Sequence, residues 1–193
     1  MPPTDTPIPP TDTPPPPSAT PAPSLPISDN FNSGYGNWTV ASGSNWSVSS
    51  GRLCMGPGAN HLAFAGDSTW SDYTVQVGSA TGGPYHVLFR AQNTSSSFSG
   101  YSFDYSSTGS GQFKITRWIN GSEVSLAAVT PPAGFNLSAS HQIEIRAIGN
   151  TFTVLLDGVQ YLQATDNTYS DGGIGVRTTS GNRACFDDIS AAE

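Results

Sequence analysis

His141-Gln142-Ile143-Glu144-Ile145-Arg146-Ala147-Ile148-Gly149-Asn150-Thr151-Phe152-Thr153-Val154-Leu155-Leu156-Asp157-Gly158-Val159-Gln160 decides how this chain folds. Apolar residues at 143, 145 and 147, and again at 152, 154 and 156, alternate with polar ones at a period of two. That is the spacing of half-buried strands. Gly149-Asn150 and Asp157-Gly158 supply the positive φ values that tight two-residue hairpins require. The stretch therefore reads as strands over His141–Ile148 and Thr151–Leu156, with a third opening at Val159 and running to Thr165.

The same pattern extends outward in both directions. Strands are expected near Asn37–Val40, Trp46–Val48, Arg52–Met55, Thr74–Gly78, His86–Asn93, Tyr101–Tyr105 and Gln112–Trp118. More follow near Glu123–Ala128, Gly173–Arg177 and Ala184–Ile189, with a further hairpin at Asn120-Gly121. Helix signals are nearly absent. About a dozen short strands in one domain cannot bury their apolar faces in a single layer, so an all-β antiparallel sandwich of two stacked sheets is predicted.

Twelve of the 16 prolines lie in the first 26 of 193 residues, where PPTDTP occurs at 2–7 and again at 9–14. This segment has too few apolar side chains to offset its ordering entropy, and its prolines favour extended polyproline II at ~3.1 Å per residue. Residues 1–26 thus read as a Pro/Thr-rich linker or stalk and residues 27–193 as one domain. The tract serves as an exposed tether, or else docks in a partner's aromatic groove or carries O-glycans. Met1 followed at once by this tract reads as a start introduced for expression, or as that of a fragment cut from a longer exported polypeptide.

Charged residues make up 11% of the chain, roughly half the usual share, while Ser, Thr, Asn and Gly abound, as in extracellular β proteins. A net charge of -7, with Lys114 the only lysine, argues against nucleic acid or an anionic membrane as partner. No run approaches the ~18 apolar residues that span a bilayer. Export is inferred from composition, since the N-terminus lacks a secretory signal's basic and apolar regions. Five sequons, at Asn37, Asn45, Asn93, Asn120 and Asn136, arise easily by chance in such a chain.

Cys54 and Cys185 are the only cysteines, and an even pair in an exported β domain points to a disulfide, the alternative being two buried free thiols. Neither has a Cys or His neighbour at zinc-ligand spacing.

The segment N-T-F-T-V-L-L-D-G-V-Q at 150–160, the preceding H-Q-I-E-I-R-A and the closing G-G-I-G-V-R and F-D-D-I together resemble the concanavalin A-like lectin/glucanase superfamily. Within it the likeness is to laminin-G-like and non-catalytic sugar-binding modules, from about Asp29 to Ile189. The resemblance implies a jelly-roll sandwich. It also implies a structural Ca²⁺, held by the backbone carbonyls of Asn30 in D-N-F-N and Gly51 in S-G-R-L and by the carboxylate of Asp187 in F-D-D-I. If Gly51 lies beside Asp187 on antiparallel strands, Cys54 falls opposite residue 184, one step from Cys185. Asp187 and Asp188 otherwise read as solvated charges at a strand edge. The oxygen-rich loop from Asp166 to Gly172 is a weaker cation candidate, lacking the EF-hand's bidentate Glu.

Retaining glucanases of this fold carry E-x-D-x-x-E on one strand. Here the only glutamates are Glu123, Glu144 and Glu193, and that run is missing, as are G-x-S-x-G and H-E-x-x-H. A non-catalytic module is expected. A hydrolase reading would need Asp104 to converge with Glu123 or Glu144.

Sugar sites pair aromatic ring faces with planar polar groups. Three strands that should neighbour one another offer His86 and Arg90 in Y-H-V-L-F-R, Tyr101 and Tyr105 in Y-S-F-D-Y, and Trp118 beside Arg117. If Val87 and Phe89 face the core, His86, Leu88 and Arg90 share the opposite, concave face. The alternative reading has Tyr101, Phe103 and Tyr105 filling the core, with Asp104 on their reverse, and Arg90 bracing the sheet, with Asp104 as its partner. Trp38, Trp46 and Trp70 read as core or loop anchors. The function expected is an extracellular lectin-like module that binds polysaccharide or glycan. The alternative is a structural subunit of a cell-surface fibre in which the tail contacts neighbouring copies.

Overall fold

The computed structural model describes Met1 and residues 25–58, 60–92, 97–106 and 111–193. The tail at 2–24 and the sequon at Asn93 lie outside the described residues. Thirteen strands form among the described residues: β1 Ile27–Asp29, β2 Thr39–Ser42, β3 Trp46–Ser49, β4 Arg52–Met55, β5 His61–Ala65, β6 Tyr73–Ala91 and β7 Gly100–Tyr105. They continue as β8 Phe113–Ile119, β9 Ser122–Val129, β10 His141–Ile148, β11 Thr151–Leu156, β12 Val159–Thr165 and β13 Gly173–Ala192.

Two strands of about twenty residues, β6 and β13, organise the molecule by passing from one layer to the other. Residues 73–80 of β6 pair with β10 and the C-terminal half of β13, extending the layer β12-β11-β10-β6-β13 to β1 and β4-β3. Residues 85–89 of β6 pair instead with β7, and the N-terminal half of β13 pairs with β5, giving β9-β8-β7-β6-β13-β5-β2. The crossing point falls at Gly82 and Gly83, opposite a register shift between Thr178 and Arg183. A side chain at Gly82 (φ 85°) would meet the Arg183 carbonyl at 2.3 Å, so only glycine allows so close a crossing.

The two layers enclose an aromatic core. Tyr85 stacks on Tyr105 at 4.7 Å between centroids, while Phe89, Tyr101 and Phe152 meet at 4.4 to 5.5 Å. Each such pair adds about 0.5–1.5 kcal/mol beyond area burial. Tyr101, Phe103 and Tyr105 are fully buried here, so of the two faces of β7 theirs is the inner one and Asp104 points out.

β5 was not expected from sequence. Its residues His61-Leu-Ala-Phe-Ala65 are all buried: Ala63 and Ala65 face the inter-sheet core, while Leu62 and Phe64 join Leu88, Phe98 and Trp118 in a second cluster on the concave side. A strand covered on both faces shows no polar alternation. β6 also runs further than expected, because Ser79-Ala-Thr-Gly-Gly-Pro84, which has the composition of a turn, continues the strand.

Cys54 and Cys185 form a disulfide, with an S–S distance of 2.07 Å, and Cys185 sits directly opposite Cys54. The register is thus one residue away from that expected, and continuing it places Gly51 against Asp188 rather than Asp187. Asp188 takes a left-handed φ of 49°, while the pairing of β13 with β6 keeps its register on either side, from Asp187 opposite Ser79 to Ile189 opposite Val77.

Candidate functional site

A row of side chains crosses the concave layer where β13, β6, β7 and β8 lie side by side. Arg177 pairs with His86, His86 with Asp104, and Asp104 with Lys114. Because Val87, Phe103, Ile115 and Val176 point into the core, strand alternation sends all four row members outward.

Asp104 anchors the row. Its Oδ1 accepts from His86 Nδ1 at 2.6 Å and from the Ser102 hydroxyl, and its Oδ2 accepts from Thr116 Oγ1 at 2.5 Å. Burial alone would push this carboxyl up. The facing His86 and the donors from His86, Ser102 and Thr116 outweigh it and hold Asp104 below the ordinary carboxylate value. Ser102 Oγ in turn accepts from Trp118 Nε1 at 2.7 Å, which fixes the indole across the sheet. Donation from Nδ1 leaves His86 Nε2 as the imidazole's remaining polar atom, and His86 helps line a cavity of about 380 Å³. Pro84, Asp104, Lys114, Glu123 and Thr179 lie around it. Its wall thus carries a cation, a carboxylate, an imidazole and a hydroxyl, a set able to donate to and accept from a polyhydroxylated ligand.

The sequence candidates do not all reach this cavity. His86 and Tyr105 border it. Trp118 lies on the concave face but is only 5% exposed, packed against Phe98 at 5.1 Å and under the Arg177 guanidinium at 4.6 Å. Phe98 also meets Phe64 at 6.0 Å and so fills the part of the concave face beyond Trp118. Tyr101 and Tyr105 are inner-core residues whose hydroxyls bond to Asp166 Oδ1 at 2.7 Å and the Leu137 carbonyl at 2.8 Å, so neither ring offers a face to a ligand.

Arg90 corrects the expectation most sharply. Its φ of 47° breaks the alternation of β6 and turns the side chain inward instead of onto the concave face. There it is 1% exposed, with the guanidinium 5.3 Å from the Phe152 ring centroid. Its Nε and Nη1 donate to the carbonyls of Ser71 and Tyr169, both at 3.2 Å, and Nη2 donates to Asp72 Oδ1 at 3.2 Å and the Ala147 carbonyl at 3.4 Å. The bracing partner is Asp72, not Asp104.

The hydrolase pairing is likewise redrawn. Asp104 and Glu123 share the cavity, but both Asp104 oxygens are engaged by neighbouring donors. Glu144 sits on β10 in the other layer, where Arg146 Nε donates to it at 2.5 Å, so it does not converge with Asp104.

The residues expected to hold a cation lie along one sheet edge. β1 and β4 both pair with the same edge of β13, on either side of Asp187 and Asp188, which places Asn30 and Gly51 beside that pair. At Gly51, whose φ is 71°, a side chain would meet Asn32 Oδ1 at 2.7 Å and approach the Asn30 carbonyl at 3.9 Å. Carbonyl, amide and carboxylate oxygens of this kind suit a hard cation. Among the described residues no three His, Cys, Asp or Glu cluster as metal ligands. The 166–172 loop uses its carboxylates otherwise: Asp166 accepts from Tyr101 and Arg117, and Asp171 Oδ1 accepts from Gln92.

Three residues that matter here escaped the sequence reading: Arg177, Lys114 and Thr179. Arg177 carried a signal, since Ile174 and Val176 at alternate positions imply that residue 177 faces the other way.

Two layers joined by crossing strands, with an open concave face, constitute the concanavalin A-like jelly roll. Solved structures share it. Carbohydrate-binding module CBM66 from Bacillus subtilis superposes with a TM-score of 0.69 at 19% identity, covering 81% of this chain and 96% of that one. The VIP36 exoplasmic/lumenal domain in its Ca²⁺/Man3GlcNAc-bound form gives 0.68 at 10% identity, covering 86% and 89%. A β-glucanase from Bacillus licheniformis gives 0.61 at 14%, covering 87% and 98%. No family model matches the chain, and no curated protein matches its sequence.

Proposed function

We propose that this chain is an extracellular, non-catalytic carbohydrate-binding module whose ligand enters the concave cavity beside His86, with residues 1–26 as its tether. The observation that carries the reading is the cavity's wall: His86 is held in place by its bond to the Asp104 carboxylate, which Ser102 and Thr116 fix in turn, so donors and acceptors stand ready before a ligand arrives. The fold is shared with a carbohydrate-binding module and with a lumenal domain solved with a bound mannose-containing glycan, and the disulfide fits an oxidising compartment.

A glycan array tests it. Wild-type protein is expected to retain at least one glycan. Exchanging both rim residues, Lys114→Ala with Glu123→Ala, should weaken that binding about tenfold with little change in the melting temperature. No retention at millimolar concentrations, or equal retention by the double variant, would contradict the assignment.

We further propose that Asn30, Gly51 and Asp187 hold a structural Ca²⁺. A cation bound only by the folded state stabilises it by about 2.7 kcal/mol at a hundredfold excess over its Kd. Added Ca²⁺ should therefore raise the melting temperature of the wild type above its value in chelator, and leave Asp187→Asn unmoved. Identical wild-type transitions in the two media would remove the ion.

A further inference from the structure

Arg177 stands apart from most arginines of the domain. Arg52, Arg90, Arg117 and Arg146 all donate to protein acceptors. Among the described residues the Arg177 guanidinium has no hydrogen bond and no ion pair, although the side chain is half-buried. It lies 4.6 Å from the Trp118 ring centroid, an arrangement that orients its plane and leaves its N–H fork without a protein acceptor. Burial pulls its pKa down, and Asp104 and Glu123, both at the cavity, push partly back without bonding to it.

No Arg177 nitrogen is among the buried polar atoms left without a partner, so the fork is open to solvent and to an acceptor that a ligand brings. The group best matched to its planar fork is a carboxylate, bound through two parallel N–H···O bonds. A second cation, Lys114, stands on the same row three strand spacings away, roughly 14 Å. Asp104 lies between them, but its charge is committed to His86, Ser102 and Thr116, so it is a scaffold and does not confront an incoming anion directly. Glu123 faces the cavity as the countercharge that keeps Arg177 from attracting anions indiscriminately.

We infer that the concave face selects acidic saccharides, with a uronate carboxylate docking on Arg177, next to the cavity on the same row, while the sugar hydroxyls meet His86 and the cavity rim. This rests on the carbohydrate-binding reading and narrows it to one substrate class. Arg177 is then a specificity-determining residue.

The test titrates the whole chain with tetramers of galacturonate, glucuronate and mannuronate, each beside its methyl ester, which keeps the sugar and removes the charge. At least one acid should bind about tenfold tighter than its ester. Arg177→Gln should bring that ratio close to one while still binding the ester, and Arg177→Lys, keeping charge without the fork, should retain part of the preference. Far-UV circular dichroism and the melting temperature of both variants verify the fold. Equal binding of acid and ester, a preference that survives Arg177→Gln, or no binding of any uronide would overturn the inference. In each of those cases neutral glycans retained on the array would leave the carbohydrate-binding reading standing, whereas an empty array would remove both.

Discussion

Replacing Cys54 and Cys185 together by serine is expected to lower the unfolding free energy by about 4 kcal/mol. The bridge closes a sequence separation of 131 residues, nearly the whole folded body, and ties β4 to β13, the strand that belongs to both layers. Cutting it frees the unfolded chain across that entire loop. It also loosens the edge where Asn30 and Gly51 flank Asp187. Urea denaturation of the double variant should show a lower midpoint, and reductant should reproduce it in the wild type. A midpoint shift worth less than about 1 kcal/mol would mean that the staple is dispensable.

Arg90→Met, which keeps most of the volume but none of the donors, should cost about 3–5 kcal/mol. The substitution strips partners from the carbonyls of Ser71, Ala147 and Tyr169 and from Asp72, in a setting where the chain already accepts a left-handed φ. The Arg90 amide also donates to Tyr73 Oη at 2.6 Å, and that hydroxyl lies 2.9 Å from the Gly172 carbonyl, so the backbone holds the position in place independently of the side chain. Glycan binding by whatever fraction remains folded should be unchanged. A fully stable Arg90→Met that no longer binds would return Arg90 to the ligand surface.

Arg90 also marks where the sequence stops being legible. Alternation correctly places Val87 and Phe89 inside and His86 and Leu88 outside, but nothing in Y-H-V-L-F-R announces that one left-handed residue will turn position 90 inward. The hairpins from His141 to Thr165 were readable because each strand has one wet face and the turns are Gly149-Asn150 and Asp157-Gly158. β5 was not, because the cluster around Phe98 covers the face that would otherwise be polar. For β7 both faces carried plausible patterns, and only the neighbouring strands decide that the tyrosines go in and Asp104 goes out. The cysteines and the D-N-F-N, S-G-R-L and F-D-D-I segments were visible from sequence, and their spatial meeting on β13 depends on long-range pairings that local patterns cannot state. The cavity itself depends on Glu123 and Thr179, contributed by strands that no short motif links.

The measurement that bears most directly on the carbohydrate-binding assignment is a backbone amide shift map, recorded as the best glycan from the array is titrated into isotope-labelled protein. The assignment predicts that the largest shifts fall on His86, Asp104, Lys114, Glu123 and Thr179, around the concave cavity. Shifts confined to the opposite layer, at Gln76, Gln142 and Ser190, with the concave row unmoved, would contradict it.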